Sequence, residues 1–333
     1  MQGGITRIGT TLGQRSRSLL EQILNDKNNT PLLITHADSE LPQLFASLRE
    51  LLRTGDMQPR ALHFLDFLHL PRASSQTYNA LRIQQLTHWL KEITGNCFSS
   101  QLWKNALIKN NKALTLLQTA KALRDNTQPQ LSSAHVYAMT AAAHILPLNN
   151  WRTLMVKAIN DAQQCPPLHS GKRIITSGAA QLNEFAHTQL SQAGYQIVGD
   201  FQEWGDKALT TIAANDDGIH GLANPARKRP AMLIPAADRA KTLAEHAKQC
   251  TAESVLYLVN PGDEPSEWDA GTIQKLLTAS GIRTGIWRTH ETLANEETLF
   301  AMQPPIKANT QAPKHKPEKT KPASNKKKAV KNH

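Results

Sequence analysis

Apolar residues along this chain change their period from segment to segment, and the changes outline a fold. Short apolar runs bounded by polar or turn residues read as buried strands: "PLLIT" (31–35), "ALHFLDF" (61–67), "RIITS" (173–177), "YQIVGDF" (195–201), "AMLIP" (231–235), "SVLYLV" (254–259) and "TGIW" (284–287). Helical spacing fills the gaps. Leu182, Ala186, Leu190 and Ala193 recur at steps of 4, 4 and 3, with Gly194 as the stop. Further helices are expected over Leu41–Leu52, Lys241–Lys248 and near Thr272–Thr278. The middle of the chain is different and mostly helical. Ile83, Leu86, Leu90 and Ile93 mark one helix ended by Gly95. Ser99 or Ser100 caps the next, which runs to about Leu123, and two more follow around His135–His144 and Asn150–Gln163. No repeat of solenoid period is present.

Strands alternating with helices give parallel sheets with right-handed crossovers. The fold class expected is therefore α/β: two Rossmann-like lobes with parallel sheets, a helical region between them, and a basic C-terminal tail. The boundaries read as 1–165 for the first lobe with its helical region, 166–302 for the second lobe, and 303–333 for the tail. "QQCPPLHSG" (163–171) is the linker.

Composition narrows the class. The chain has 333 residues, 40% apolar and 20% charged, enough for two cores. No apolar run reaches the roughly 18 residues that span a bilayer, and the first 20 residues hold no apolar signal core. Three scattered cysteines, Cys97, Cys165 and Cys250, argue against a disulfide framework and for a reducing, cytoplasmic setting. The net charge of +11 is concentrated. From Gln303 onward there are nine Lys and one Glu, a contribution of +8, so this Pro- and Lys-rich tail reads as disordered. It is either a solubilising segment or an electrostatic tether for nucleic acid or an acidic partner.

Candidate chemistry is sparse. "HSGKR" (169–173) lacks the first glycine of a phosphate loop and precedes a strand instead of following one; no GxGxxG or GxSxG is present. His63 and His69 have no convergent ligand partners in sequence and read as structural, as do the three thiols. Position in the sheet says more, because ligands of open α/β sheets bind beyond the C-terminal strand ends. Those ends supply His36, Asp38, Ser177, Gly178, Asp200, Asn260 and Asp263 as crevice candidates. The alternative for Asp38 and Asp263 is plain helix capping.

The helical stretch "LRIQQLTHWLKEITGNCFSSQLWKNALIKNNKALTLLQTAKAL" carries a resemblance, together with "RIITSGAA", "GYQIVGDF", "RPAMLIPAADRAKTLAEHAKQCTAESVLYLVN" and "GIRTGIWRTH". From about Pro31 to Thr289 the chain resembles the 2-hydroxyacyl-CoA dehydratase family, which includes the benzoyl-CoA reductase subunits. The resemblance implies a two-lobed subunit that pairs with a sister subunit. It also implies a [4Fe–4S] cluster held by three strand-end cysteines, fed an electron by an ATP-driven activator, with water removed from a 2-hydroxyacyl-CoA through a ketyl radical. The cysteine positions of that pattern fall here on Ala37, beside Asp38, on Ala179, and in the cysteine-free loop Asn260–Asp263. No cofactor is therefore expected. The first lobe reads as trimmed, since only about 30 residues precede "PLLIT". Three readings follow. The chain is a cluster-free relative that binds a partner or an acyl-CoA-like ligand; or it is a lyase subunit whose cluster is held otherwise, with His36 as an imidazole ligand or through a partner; or it is a nucleic-acid-associated or scaffolding protein acting through its tail.

Overall fold

"SVLYLV" is apolar at nearly every position, and the fold gives it two covered faces. The computed structural model describes residues 12, 14–36, 40–168, 171–181, 183–202, 204–206, 223, 234–261, 263–289, 291, 293 and 296–301. In chain order these form α1 (Gln14–Asn25), β1 (Leu32–Thr35), α2 (Glu40–Thr54), β2 (Leu62–Leu65), α3 (Ala73–Thr94), α4 (Ser100–Asp125), α5 (Ser133–Ile145) and α6 (Leu148–Gln164). Then come β3 (Lys172–Gly178), α7 (Phe185–Gln192), β4 (Tyr195–Phe201), α8 (Ala236–Gln249), β5 (Ser254–Val259), α9 (Glu264–Ala279), β6 (Arg283–Arg288) and α10 (Glu296–Leu299). The architecture is α/β with two parallel sheets, as the alternation of strand and helix patterns requires.

The larger sheet has the order β4-β3-β5-β6, every pair parallel. β5 lies inside it and is buried at all six positions. On one face Ile175, Val198, Val255, Tyr257 and Val259 meet Ala240, Leu243, Ala244 and Ala247 of α8 and Ala270, Ile273 and Leu277 of α9. The alanine face of α8 lets that helix approach the sheet closely. On the other face Ile174, Ile197, Leu256, Leu258 and Trp287 pack on Ala186 and Leu190 of α7 and on Leu299.

The smaller sheet pairs β1 with β2 in parallel, from Leu32↔Leu62 to Thr35↔Leu65. Its core joins Ile34 to Leu20 and Ile23 of α1 and to Leu44, Leu48 and Leu51 of α2. A third core is purely helical: Ala113, Leu117 and Ala120 of α4 against Val136 of α5 and Trp151, Met155 and Ile159 of α6. The Trp151 indole N–H donates to the Met139 carbonyl at 2.9 Å.

The stops act as expected. Gly95 and Gly194 take left-handed φ values of 71° and 83°, and the Ser99 hydroxyl caps α4 by accepting from Leu102 N at 3.1 Å. Several boundaries differ from the sequence expectation. α1 was not expected, although Leu20 and Ile23 bury one side of it. The run "ALHFLDF" forms a strand only over Leu62–Leu65, because Asp66 turns away to meet side chains of α3. Of "AMLIP", residues 231–233 lie outside the described residues. Ile234 forms a bend and Pro235 is the N-cap of α8, where its missing N–H costs nothing. Ala37, Asp38 and the tail from Gln303 also lie outside the described residues. No described helix is long and apolar enough to cross a membrane.

Candidate functional site

The C-terminal edge of the larger sheet is built from polar side chains that satisfy one another. β3 ends at Gly178 with φ +100°; a Cβ there would stand 2.2 Å from the Leu258 carbonyl oxygen, so only glycine lets β5 pass this close. Ala179 follows, 2% exposed, with its N–H on the same carbonyl at 2.8 Å. Gln181 then closes the loop. Its amide donates to the Ala179 carbonyl at 3.0 Å and to Asn260 Oδ1 at 3.2 Å. Asn260 Nδ2 donates to the Ala180 carbonyl at 2.7 Å, and the Thr289 hydroxyl donates to Asn260 Oδ1 at 2.8 Å. The Tyr137 hydroxyl from α5 donates to the Gln181 carbonyl at 2.7 Å, and the Gln181 N–H donates to the Gln202 side chain.

Behind this loop lies a second buried network. Asp200 accepts from the Thr176 hydroxyl at 2.8 Å and from Gln202 Nε2 at 2.9 Å. His187 Nε2 stands 3.5 Å from Asp200 Oδ2 and 3.3 Å from Gln202 Nε2. Burial pushes the His187 pKa down, and the nearby Asp200 charge opposes this only in part, so the imidazole is neutral. Its Nδ1 is buried without a hydrogen-bond partner among the described residues. The ring packs on Tyr137 at 5.0 Å between centroids, and burial raises the Tyr137 pKa. Asp206 anchors the network to α4. It holds the Arg124 guanidinium through both oxygens at 3.0 and 3.1 Å and accepts from Asp200 N at 3.0 Å.

At the C-terminal edge of the smaller sheet, His36 is exposed, and its N–H donates to the Leu65 carbonyl at 3.0 Å. The next residue along the neighbouring strand is Asp66. Tyr78 donates to Asp66 Oδ2 at 2.5 Å, and Arg82 Nε lies 2.6 Å from Asp66 Oδ1. That hydrogen bond, followed by burial, raises the Tyr78 pKa. Asn79 brackets Leu68, accepting from its N–H at 2.8 Å and donating to its carbonyl at 2.9 Å, and also donates to the Ala223 carbonyl at 3.1 Å.

The sequence candidates are thus distributed. Asn260 joins the Ala179–Gln181 loop. Asp200 belongs to the buried network behind it, and Ser177 is 7% exposed. Asp263 caps α9, accepting from Ser266 N at 3.2 Å and from the Ser266 hydroxyl at 2.8 Å. His36 stands at the other sheet. Sequence reasoning passed over Gln181, His187 and Gln202, and also Asp66, Tyr78 and Arg82. The last two are spaced i, i+4 on α3, a legible sign that they share a face.

An iron–sulfur cluster requires thiolates. At the larger sheet's C-terminal edge the described residues offer the Ala179 methyl group, amides, hydroxyls and the carboxylates of Asp200 and Asp263, already engaged by Thr176, Gln202 and Ser266, and no thiol. The thiols are elsewhere: Cys97 exposed in the α3–α4 turn, Cys165 exposed at the end of α6, and Cys250 at the end of α8. Arg173, at the start of β3, donates to the Cys250 carbonyl at 2.9 Å, which puts this residue at the opposite edge of the sheet. Among the described residues no group of three or more His, Cys, Asp or Glu is placed to hold a metal ion.

No curated protein matches the chain. The family model described as 2-hydroxyglutaryl-CoA dehydratase, D-component, matches residues 16–297, a span that runs from α1 into α10 and takes in both sheets. On that match the chain belongs to the 2-hydroxyglutaryl-CoA dehydratase D-component family.

Proposed function

We propose that this chain is a cluster-free member of its family that acts by binding, as the non-catalytic partner of a cysteine-bearing sister subunit in the cytoplasm. The observation that carries this reading is Ala179. At the position that the sequence resemblance gives to the family's second cysteine stands a methyl group, 2% exposed, in a loop whose polar groups are taken up by Gln181, Asn260 and Thr289. A methyl group donates no electron pair to iron, and the surrounding amides are already paired. The resemblance puts the third family position between Asn260 and Asp263, and there Asn260 holds the loop and Asp263 caps α9.

The division into a first lobe through residue 165 and a second through 302 is part of the same proposal. So is a residual affinity for an acyl-CoA-like ligand at the strand ends. The test is anaerobic affinity purification from the native cell, followed by assay with a 2-hydroxyacyl-CoA and a reduced, ATP-driven activator. A cysteine-bearing family subunit should co-purify, and the isolated chain should dehydrate nothing. A chain that emerges alone and turns over the thioester refutes the reading.

A further inference from the structure

The Ala179–Gln181 loop is tied to the interior through Gln202, and Gln202 is buried against an imidazole. The two residues are 0% and 2% exposed, Gln202 and His187 respectively. The two ends of the Gln202 amide have opposite needs. The Gln181 N–H points at one end, and a backbone N–H can only donate, so that end is the carbonyl oxygen Oε1. The amide nitrogen therefore faces the other way, donating to Asp200 Oδ2 at 2.9 Å and lying 3.3 Å from His187 Nε2. His187 Nε2 must then accept, which places the proton of the neutral ring on Nδ1. A backbone group thus fixes the tautomer of a buried histidine through one amide.

Because Nδ1 already carries a proton, a second one from solvent goes to Nε2. The new Nε2–H meets the Gln202 amide nitrogen donor to donor, while Asp200 Oδ2, 3.5 Å away, becomes its acceptor. If the Gln202 amide flips, it turns Oε1 to the imidazolium but sets its own N–H groups against the Gln181 N–H. If it swings aside, Oε1 leaves Gln181 as well. No orientation of Gln202 serves an imidazolium and the Gln181 N–H together. We propose that His187 and Gln202 form a proton-operated latch: a proton on His187 Nε2 draws the ring onto Asp200, displaces the Gln202 amide and frees the Ala179–Gln181 loop at the C-terminal edge of the larger sheet.

The groups around the ring set when the latch opens. They are Asp200 of β4, Asp206 beyond it, Arg124 of α4, Glu184 at the start of α7, and the Tyr137 ring of α5. Burial pushes the His187 pKa below its ordinary value; the Asp200 charge is the main opposing influence, and Arg124 lowers the pKa further. The latch is therefore shut at neutral pH and opens only as pH falls below about 6.5. The opening is local. Asn260 Nδ2 and the Tyr137 hydroxyl still hold the Ala180 and Gln181 carbonyls, and neither bond changes protonation in this range. The latch needs neither a partner subunit nor a thioester, so it works in the isolated chain.

The experiment is amide hydrogen exchange of the full chain, read by mass spectrometry at about pH 7.5 and about pH 5.5, with exchange times scaled for the intrinsic pH dependence of the amides. Peptides spanning Ala179–Gln181 should exchange about tenfold faster at the lower pH, the effect of losing one buried hydrogen bond, while β5 peptides keep their protection. His187→Phe, which packs on Tyr137 and takes up no proton, should erase the difference. Should that variant lose its fold, His187→Gln decides, since its carbonyl accepts from Gln202 at either pH. A loop equally protected at both pH values overturns the proposal. So does a loop that loosens together with β5, or one that still loosens on acidification in a folded His187 variant.

Discussion

Replacing Asp206 with alanine should destabilise the protein more than any exposed substitution, because it strips a buried guanidinium of its best counter-charge. The Arg124 and Asp206 side chains are 3% and 7% exposed, and they are joined through both carboxylate oxygens. Burial alone works against charge on Arg124, but Asp206 and Asp125 more than offset it and hold its pKa above the ordinary value. Removing one member of such a pair costs roughly 3–5 kcal/mol. Asp125 stays on Arg124 Nε at 2.7 Å, which argues for the lower end, while the lost bond from Asp200 N adds about 1 kcal/mol. A total of about 4 kcal/mol, spread over the roughly 250 described residues at about 2.1 cal/mol/K each, lowers Tm by about 7–8 °C. Differential scanning calorimetry of Asp206→Ala reads this directly. Adding Arg124→Met should recover part of the loss, because the stranded charge is then gone. A Tm within about 1 °C of wild type for Asp206→Ala would refute the reasoning, and so would a double variant as unstable as the sum of the singles.

His187 gives a pH dependence with a definite sign. Its folded pKa lies below the ordinary 6.5, so the unfolded chain takes up a proton that the folded chain refuses. Stability should fall as pH drops below about 6.5, and His187→Phe should flatten part of that slope in urea unfolding between pH 7.5 and 5. Asp200, Asp206, Glu184 and Arg124 set the field around this imidazole, and Gln202 and Tyr137 complete its surroundings; an identical slope in both proteins would sink the assignment. Gly178→Ala should cost more than about 2 kcal/mol, since φ is +100° and the new Cβ meets a strand carbonyl. Gly271→Ala, inside α9 with nothing within 4 Å, should instead stabilise by up to about 1 kcal/mol, and thermal melts of both check the contrast. Removing residues 304–333 takes away nine Lys and one Glu. Tm should stay in place, while any binding to RNA or DNA, along with its salt dependence, should vanish in an electrophoretic shift assay.

The parallel strands were legible because their signal is local. "SVLYLV" and "YQIVGDF" are apolar along their length, as strands covered on both faces must be. Gly95, Gly194 and Ser99 marked helix ends through backbone freedom and capping that one residue supplies by itself. What sequence could not convey depends on long-range pairing. Gln181, Gln202 and His187 look like ordinary polar residues until Asn260 and Asp200, distant in the chain, arrive beside them. α1 was passed over because its charged and polar residues mask a short stripe at Leu20 and Ile23, whose value depends on α2. Asp66 was read as part of a strand, although Tyr78 and Arg82 on the following helix draw it out of the ladder.

The central claim is that the strand ends of this family member hold no cluster, and iron tests it most directly. Protein purified without oxygen, and again after incubation with ferrous iron and sulfide, should show no stoichiometric iron, no acid-labile sulfide and no broad absorption in the blue-violet. Near-stoichiometric iron and sulfide accompanied by that band would contradict it, and would require ligands other than the alanine at position 179.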